Sequence, residues 1–149
     1  MLIIQKIKDY QQLMKLNLSL LVVFSSVVGY MIVPDLHVTL TNVLLLLLGG
    51  LCVTAAANAS NELLEINSDK IMKRTMNRPL PDMRMSLLEA IIFISLSLIA
   101  GLAILYYFFN PLSALLSLIS YVLYVALYTP LKKISSISVL VGAIPGSLP

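Results

Sequence analysis

Four apolar stretches set the rhythm of this chain, at roughly residues 16–33, 38–60, 87–109 and 112–131, and polar residues gather between and around them. Each stretch is close to the length of about 20 mostly apolar residues that a helix needs to cross the hydrocarbon core of a bilayer. The pattern predicts an all-α fold, a polytopic membrane helix bundle with about four transmembrane helices. Short breakers separate two of the pairs, "PDLH" after the first stretch and Asn110-Pro111 between the third and fourth. Tyr106, Tyr107, Phe108 and Phe109 precede the second breaker and suit an interfacial aromatic belt. The long interruption is different. It runs over 61–86, and its first part reads "NELLEINSDKIMKRTMNRPLP": acids first, bases next, a proline pair at the close.

Composition strengthens the membrane reading. Of 149 residues, 59% are hydrophobic and 11% charged, against about 25% charged in soluble globular proteins. The single cysteine, Cys52, lies inside the second apolar run, so an intrachain disulfide is excluded and redox chemistry finds no support. The leading "MLIIQKIKDYQQLMK" has neither a cleavage-site pattern after the first apolar run nor the character of a transit peptide. A retained first helix and a bacterial inner membrane are expected.

Charge then orients the bundle. The ten bases fall in three places: Lys6, Lys8 and Lys15 before the first span; Lys70, Lys73, Arg74, Arg78 and Arg84 between the second and third; Lys132 and Lys133 after the fourth. By the positive-inside rule the N-terminus, the 61–86 segment and the tail face the cytoplasm. Orientation explains the bases but leaves the acids unexplained, because Asp and Glu contribute little to topology. Glu62, Glu65 and Asp69 nevertheless crowd the end of an apolar run.

If the second helix continues past Ser60, Asn61, Glu65 and Asp69 follow at i, i+4 and i+8, drifting about 40° per step, so three oxygen-bearing side chains share one face. Acids at a helix C-terminus oppose the macrodipole, and acids four apart repel. A cation relieves both costs. Oxygen ligands without His or Cys suit Mg²⁺, which one or two carboxylates commonly hold with water and phosphate oxygens completing the shell. Lys73, Arg74 and Arg78 follow closely and can bind phosphate oxygens. The alternative is a solvated loop of mixed charge. A diphosphate clamp at the mouth of a helical bundle fits a lipid diphosphate, and prenyl transfer is the reaction class it suggests.

Asn61-x3-Glu65-x3-Asp69 followed by "IMKRTMNRPLP" resembles the first acidic motif of the UbiA superfamily of intramembrane prenyltransferases. Within it, "YTPLKKISSISVLVGAIPGSLP" over 128–149 and "DYQQLMKLNLSLLVVFSSVVGY" over 9–30 are similar to the protoheme IX farnesyltransferase, or heme O synthase, branch. The resemblance implies that farnesyl diphosphate gives its prenyl group to protoheme IX, forming heme O, with Mg²⁺ on the diphosphate. It implies catalytic and metal-binding roles for Asn61, Glu65 and Asp69. Lys73, Arg74 and Arg78 would bind phosphate, with Tyr128 and Lys132 at the same mouth. Leu16 stands where the family usually has proline, so the entry of the first helix is expected to differ. The family is about twice as long, with roughly nine helices and a second acidic motif. The chain therefore resembles the N-terminal part, 1–149, of one UbiA-type domain, which a second chain would complete.

Three competing readings remain at this point. Another UbiA-type enzyme acting on an aromatic acid is disfavoured by "VGAIPGSLP"; a non-catalytic fragment is the second; a transporter is disfavoured because no charge lies deeper in the spans than Glu89. His37 belongs to the external turn, far from the acids, and is not expected to ligate heme. No nucleic-acid partner is expected.

Overall fold

The computed structural model describes residues 2–34, 37–132, 134, 138 and 141–143. Lys133 and most of "VGAIPGSLP" lie outside the described residues. Over residues 2–131 the described residues form five helices in succession: α1 (Leu2–Leu13), α2 (Leu16–Ile32), α3 (Leu40–Asp69), α4 (Leu87–Phe108) and α5 (Pro111–Leu131). By length and hydropathy α3, α4 and α5 can each cross a membrane, and α1 with α2 forms a bent pair at 52° that adds a fourth span. Lys6, Lys8 and Asp9 make α1 too polar for hydrocarbon. Seventeen-residue α2 is therefore the spanning part, near the lower limit of about 17 residues.

The α1–α2 break occurs without a proline. Lys15 takes a left-handed backbone, φ 48° and ψ 56°, and turns the chain. At the other breaks side chains cap the helix starts: Asn42 N donates to Thr39 Oγ1, Glu89 N to Ser86 Oγ and Ser113 N to Asn110 Oδ1. Pro111 follows Asn110 at the first turn of α5, where its missing N–H costs nothing. Helix α3 continues to Asp69. The non-helical connection is therefore 70–86, shorter than the 61–86 expected from polarity, because polar residues at the end of an apolar helix still propagate its hydrogen bonds.

The central pair is α3 against α4. A Cβ placed on Gly101 would lie 2.7 Å from Val53 Cγ2 and 2.8 Å from the Gly49 carbonyl, so the backbones approach where only hydrogen fits. Buried Leu13, Ala56, Ala59, Leu80, Met85 and Ala90 join the end of α1, α3, the connection and α4 in one cluster. Polar bonds stitch the outer helices on: Asn58 Nδ2 donates to Ser19 Oγ at 3.0 Å, and the Ser60 and Tyr121 hydroxyls lie 2.9 Å apart. In α5, residues Leu123–Tyr128 widen into a π-helical turn. Pro130 accounts for it, since its ring crowds the carbonyl of Ala126 and it has no N–H to offer.

Candidate functional site

Because α3 keeps its pitch to Asp69, its last two turns present Asn61, Glu65 and Asp69 along one face. All three are buried, at 1%, 8% and 3% exposure. Charged groups seldom stay buried without partners, and each acid here has a base. Arg78 Nη1 lies 2.6 Å from Asp69 Oδ2. Lys132 Nζ lies 2.8 Å from Glu65 and donates to Asn61 Oδ1 at 3.1 Å. Asn61 Nδ2 in turn donates to Glu65 Oε2 at 2.9 Å. The motif face thus meets bases carried by two other segments, the connection and the end of α5.

The π-helical turn sets the α5 contribution. Thr129 Oγ1 lies 3.0 Å from Asn61 Oδ1 and 2.9 Å from the Tyr124 carbonyl. Tyr128 stacks on Tyr124 with centroids 5.2 Å apart, and Lys132 Nζ stands 5.6 Å from the Tyr128 centroid. Tyr128 therefore steadies Lys132 through its ring face. Lys73 and Arg74 are exposed and make no hydrogen bond or ion pair among the described residues. The structure thus brings Arg78, Lys132 and Tyr128 to the site and leaves Lys73 and Arg74 on an outward turn. His37 is exposed beside the N-terminus of α3, a helix of 30 residues, which puts it about 45 Å from Asp69 at 1.5 Å per residue.

The sequence reading gave no site role to three residues that the structure brings here, although it singled out Glu62 among the unexplained acids. Thr129 sits in an apolar run with nothing local to mark it. Lys15 reads as a topogenic base, yet burial and then the charges of Arg78 and Lys132 hold its ammonium below the ordinary lysine range. Glu62 is fully buried. One of its oxygens accepts from Leu80 N at 3.5 Å, and Oε2 has no partner among the described residues.

Among the described residues no three His, Cys, Asp or Glu side chains converge as a metal centre. The donor chemistry still fits Mg²⁺ in its substrate-completed form, because carboxylates at 65 and 69 and the unpartnered Glu62 oxygen are hard ligands. Beside the polar face, a cavity of about 170 Å³ opens among α2, α3 and α5, lined by Leu18, Val22, Val53, Thr54, Tyr121 and Tyr124 among others. Tyr124 links it to the Tyr128–Lys132 stack. A polar mouth that carries two bases and two acids thus adjoins an apolar slot.

The description "UbiA prenyltransferase family" matches residues 22–149. The chain is 43% identical over 143 residues to the protoheme IX farnesyltransferase of Flavobacterium psychrophilum, covering 95% of this chain and 47% of that protein. It is 44% identical over 140 residues to that of Cytophaga hutchinsonii, covering 94% and 49%. The human mitochondrial protoheme IX farnesyltransferase is 37% identical over 138 residues, 93% of this chain and 31% of that protein. No solved structure matches the chain. The chain spans about half the length of the bacterial relatives it matches.

Proposed function

The chain belongs to the UbiA prenyltransferase family, and from that premise we propose that it forms the diphosphate end of a protoheme IX farnesyltransferase. The reaction breaks the allylic C–O bond of farnesyl diphosphate, releases diphosphate, joins the farnesyl carbon to one vinyl carbon of protoheme IX and adds the hydroxyl of a water molecule to the other, giving heme O. One observation carries the reading: bases from separate segments, Arg78 and Lys132, meet the buried Asn61–Glu65–Asp69 face of α3.

Arg78 and Lys132 neutralise Asp69 and Glu65. With substrate present, Arg78 and Lys132 turn to phosphate oxygens and stabilise the charge that grows as the allylic C–O bond breaks. The apolar cavity holds the isoprenoid chain and keeps water from the cation. Asn61, Glu65 and Asp69 would hold Mg²⁺, which when bound would supply Lewis-acid stabilisation of the leaving group. Lys73 and Arg74, free of partners among the described residues, supply further phosphate contacts when the 70–86 connection closes on substrate. The charge distribution supports a multi-pass protein of a bacterial inner membrane with α1, the connection and Lys132 on the cytoplasmic side. We further propose that the remaining helices and a second acidic motif come from another polypeptide segment.

The test uses membranes carrying the chain joined to the C-terminal half of the Flavobacterium psychrophilum relative, given farnesyl diphosphate and heme. Heme O is expected with the unaltered chain. In Asp69→Ala its formation should fall about a hundredfold or more, the scale of losing one preorganised charge-stabilising group. Unchanged turnover in Asp69→Ala would refute the assignment of the diphosphate end.

A further inference from the structure

The 70–86 connection has no helix or strand of its own, so side chains must hold the turn that bears Arg78. Arg84 does most of this. Its Nε donates to Asp9 Oδ1 at 3.0 Å, its Nη1 pairs with Asp82, and its Nη2 donates to the Asn77 carbonyl at 2.9 Å and to Gln12 Oε1 at 3.4 Å. One planar guanidinium therefore ties α1 to residues on both sides of Arg78, which a lysine ammonium would not do in the same way. The partner, Asp9, is 2% exposed, and a carboxylate so deeply buried is strongly committed to its counter-charge. Next to it Lys6 bonds both Glu89 oxygens at 2.9 Å and the Arg84 carbonyl at 3.3 Å, while Tyr10 donates to Glu89 at 2.8 Å. The inner face of α1 is thus fastened to the connection and to the start of α4. Neither Asp9 nor Arg84 bonds to Asn61, Glu65 or Asp69.

We propose that α1 is a strap and Asp9–Arg84 its fastening: the pair positions the turn around Arg78 so that this guanidinium faces Asp69 and the diphosphate. The effect on diphosphate binding rests on the function proposed above; the effect on the connection does not. The sequence alone marks Arg84 only as one more base of a topogenic cluster, because its α1 partners Asp9 and Gln12 lie 75 and 72 residues away in the chain.

The test uses the full chain in detergent micelles and two readouts. The first is tryptic cleavage after exposed Lys73 and Arg74, which follows the population of the opened connection when opening is fast relative to cleavage. Asp9→Asn and Arg84→Gln should each speed it about tenfold, the double variant no more than either single one, as expected when both lose one interaction. Asp9→Glu, which keeps the charge pair, should stay near the original rate. The second readout is Mg²⁺-dependent binding of farnesyl diphosphate, which both opening variants should weaken. Cleavage at the original rate in both Asp9→Asn and Arg84→Gln overturns the strap. Should Arg84→Gln not fold, Asp9→Asn, the same size and still able to hydrogen-bond, decides the matter alone. Faster cleavage with undiminished binding overturns the positioning role. If the unaltered chain does not bind farnesyl diphosphate, the functional reading fails, and the cleavage rates still decide whether α1 holds the connection.

Discussion

Lys132 meets three groups at once: the Glu65 carboxylate, the Asn61 amide oxygen and the face of Tyr128. Arg78 does the corresponding work on Asp69. Lys15 is desolvated and is repelled by both of these bases. Its depressed folded-state value means that the unfolded chain binds more protons. The penalty is full below that value and is relieved as pH climbs through it towards the ordinary 10.5. Lys15→Gln should therefore raise the melting temperature of the empty protein, flatten its rise with alkaline pH, and weaken farnesyl diphosphate binding. Melting curves with and without ligand check this; a lowered melting temperature with unchanged binding contradicts it. At this scale Asn61, Glu65 and Asp69 were legible, because their spacing is a property of one helix. Thr129 and Lys15 reach the same place from remote segments, and no local pattern announces such a meeting; Lys132 was expected there from the resemblance of "YTPLKK" and not from any local spacing. Lys73 and Arg74 show the converse: closeness in sequence to Asp69 did not bring them to it, since the chain turns outward after α3.

Among the elements, the α3–α4 contact depends on Gly101. A methyl there meets the Gly49 carbonyl and Val53. Gly101→Ala should separate the helices at a cost of about 1–3 kcal/mol, the usual range for overpacking. Gly29→Ala is the matched control, because nothing lies within 4 Å of its added Cβ. Thermal unfolding in micelles measures both, and equal stability would contradict the close approach. The connection contains the opposite defect. Met83 is 79% exposed yet holds φ at 57°, a conformation that costs an L-residue roughly 1–2 kcal/mol. Met83→Gly should stabilise the protein by about 1 kcal/mol after the greater freedom of glycine in the unfolded chain is counted. A loss of stability would show that the Met83 side chain contributes more than its backbone costs. The apolar stretches announced α2 to α5 because hydrocarbon demands long uninterrupted runs. Helix α1 stayed hidden in "MLIIQKIKDYQQLMK", whose apolar and polar residues each serve a different surface. The π-helical turn follows from Pro130, but periodicity does not reveal how far that turn rotates the residues after it.

Taken whole, the molecule places a buried cluster of paired acids and bases at one end of a helical bundle and an apolar slot beside it. Family and helical architecture were readable because membrane spans and the N-x3-E-x3-D pattern are local. The assembly of the site was not, because it joins the α1–α2 break, the end of α3, the connection and the end of α5. The chain spans about half the length of its bacterial relatives. The central claim is that the polar face of α3 and its two bases receive a diphosphate. It is tested most directly by titrating farnesyl diphosphate into the purified chain, with Mg²⁺ and with chelator, alongside Lys132→Ala and Asp69→Ala. The account expects Mg²⁺-dependent binding that weakens about tenfold or more in each variant, a change of about 1.4 kcal/mol or more. Binding of equal strength in all three proteins, or binding indifferent to Mg²⁺, would contradict it.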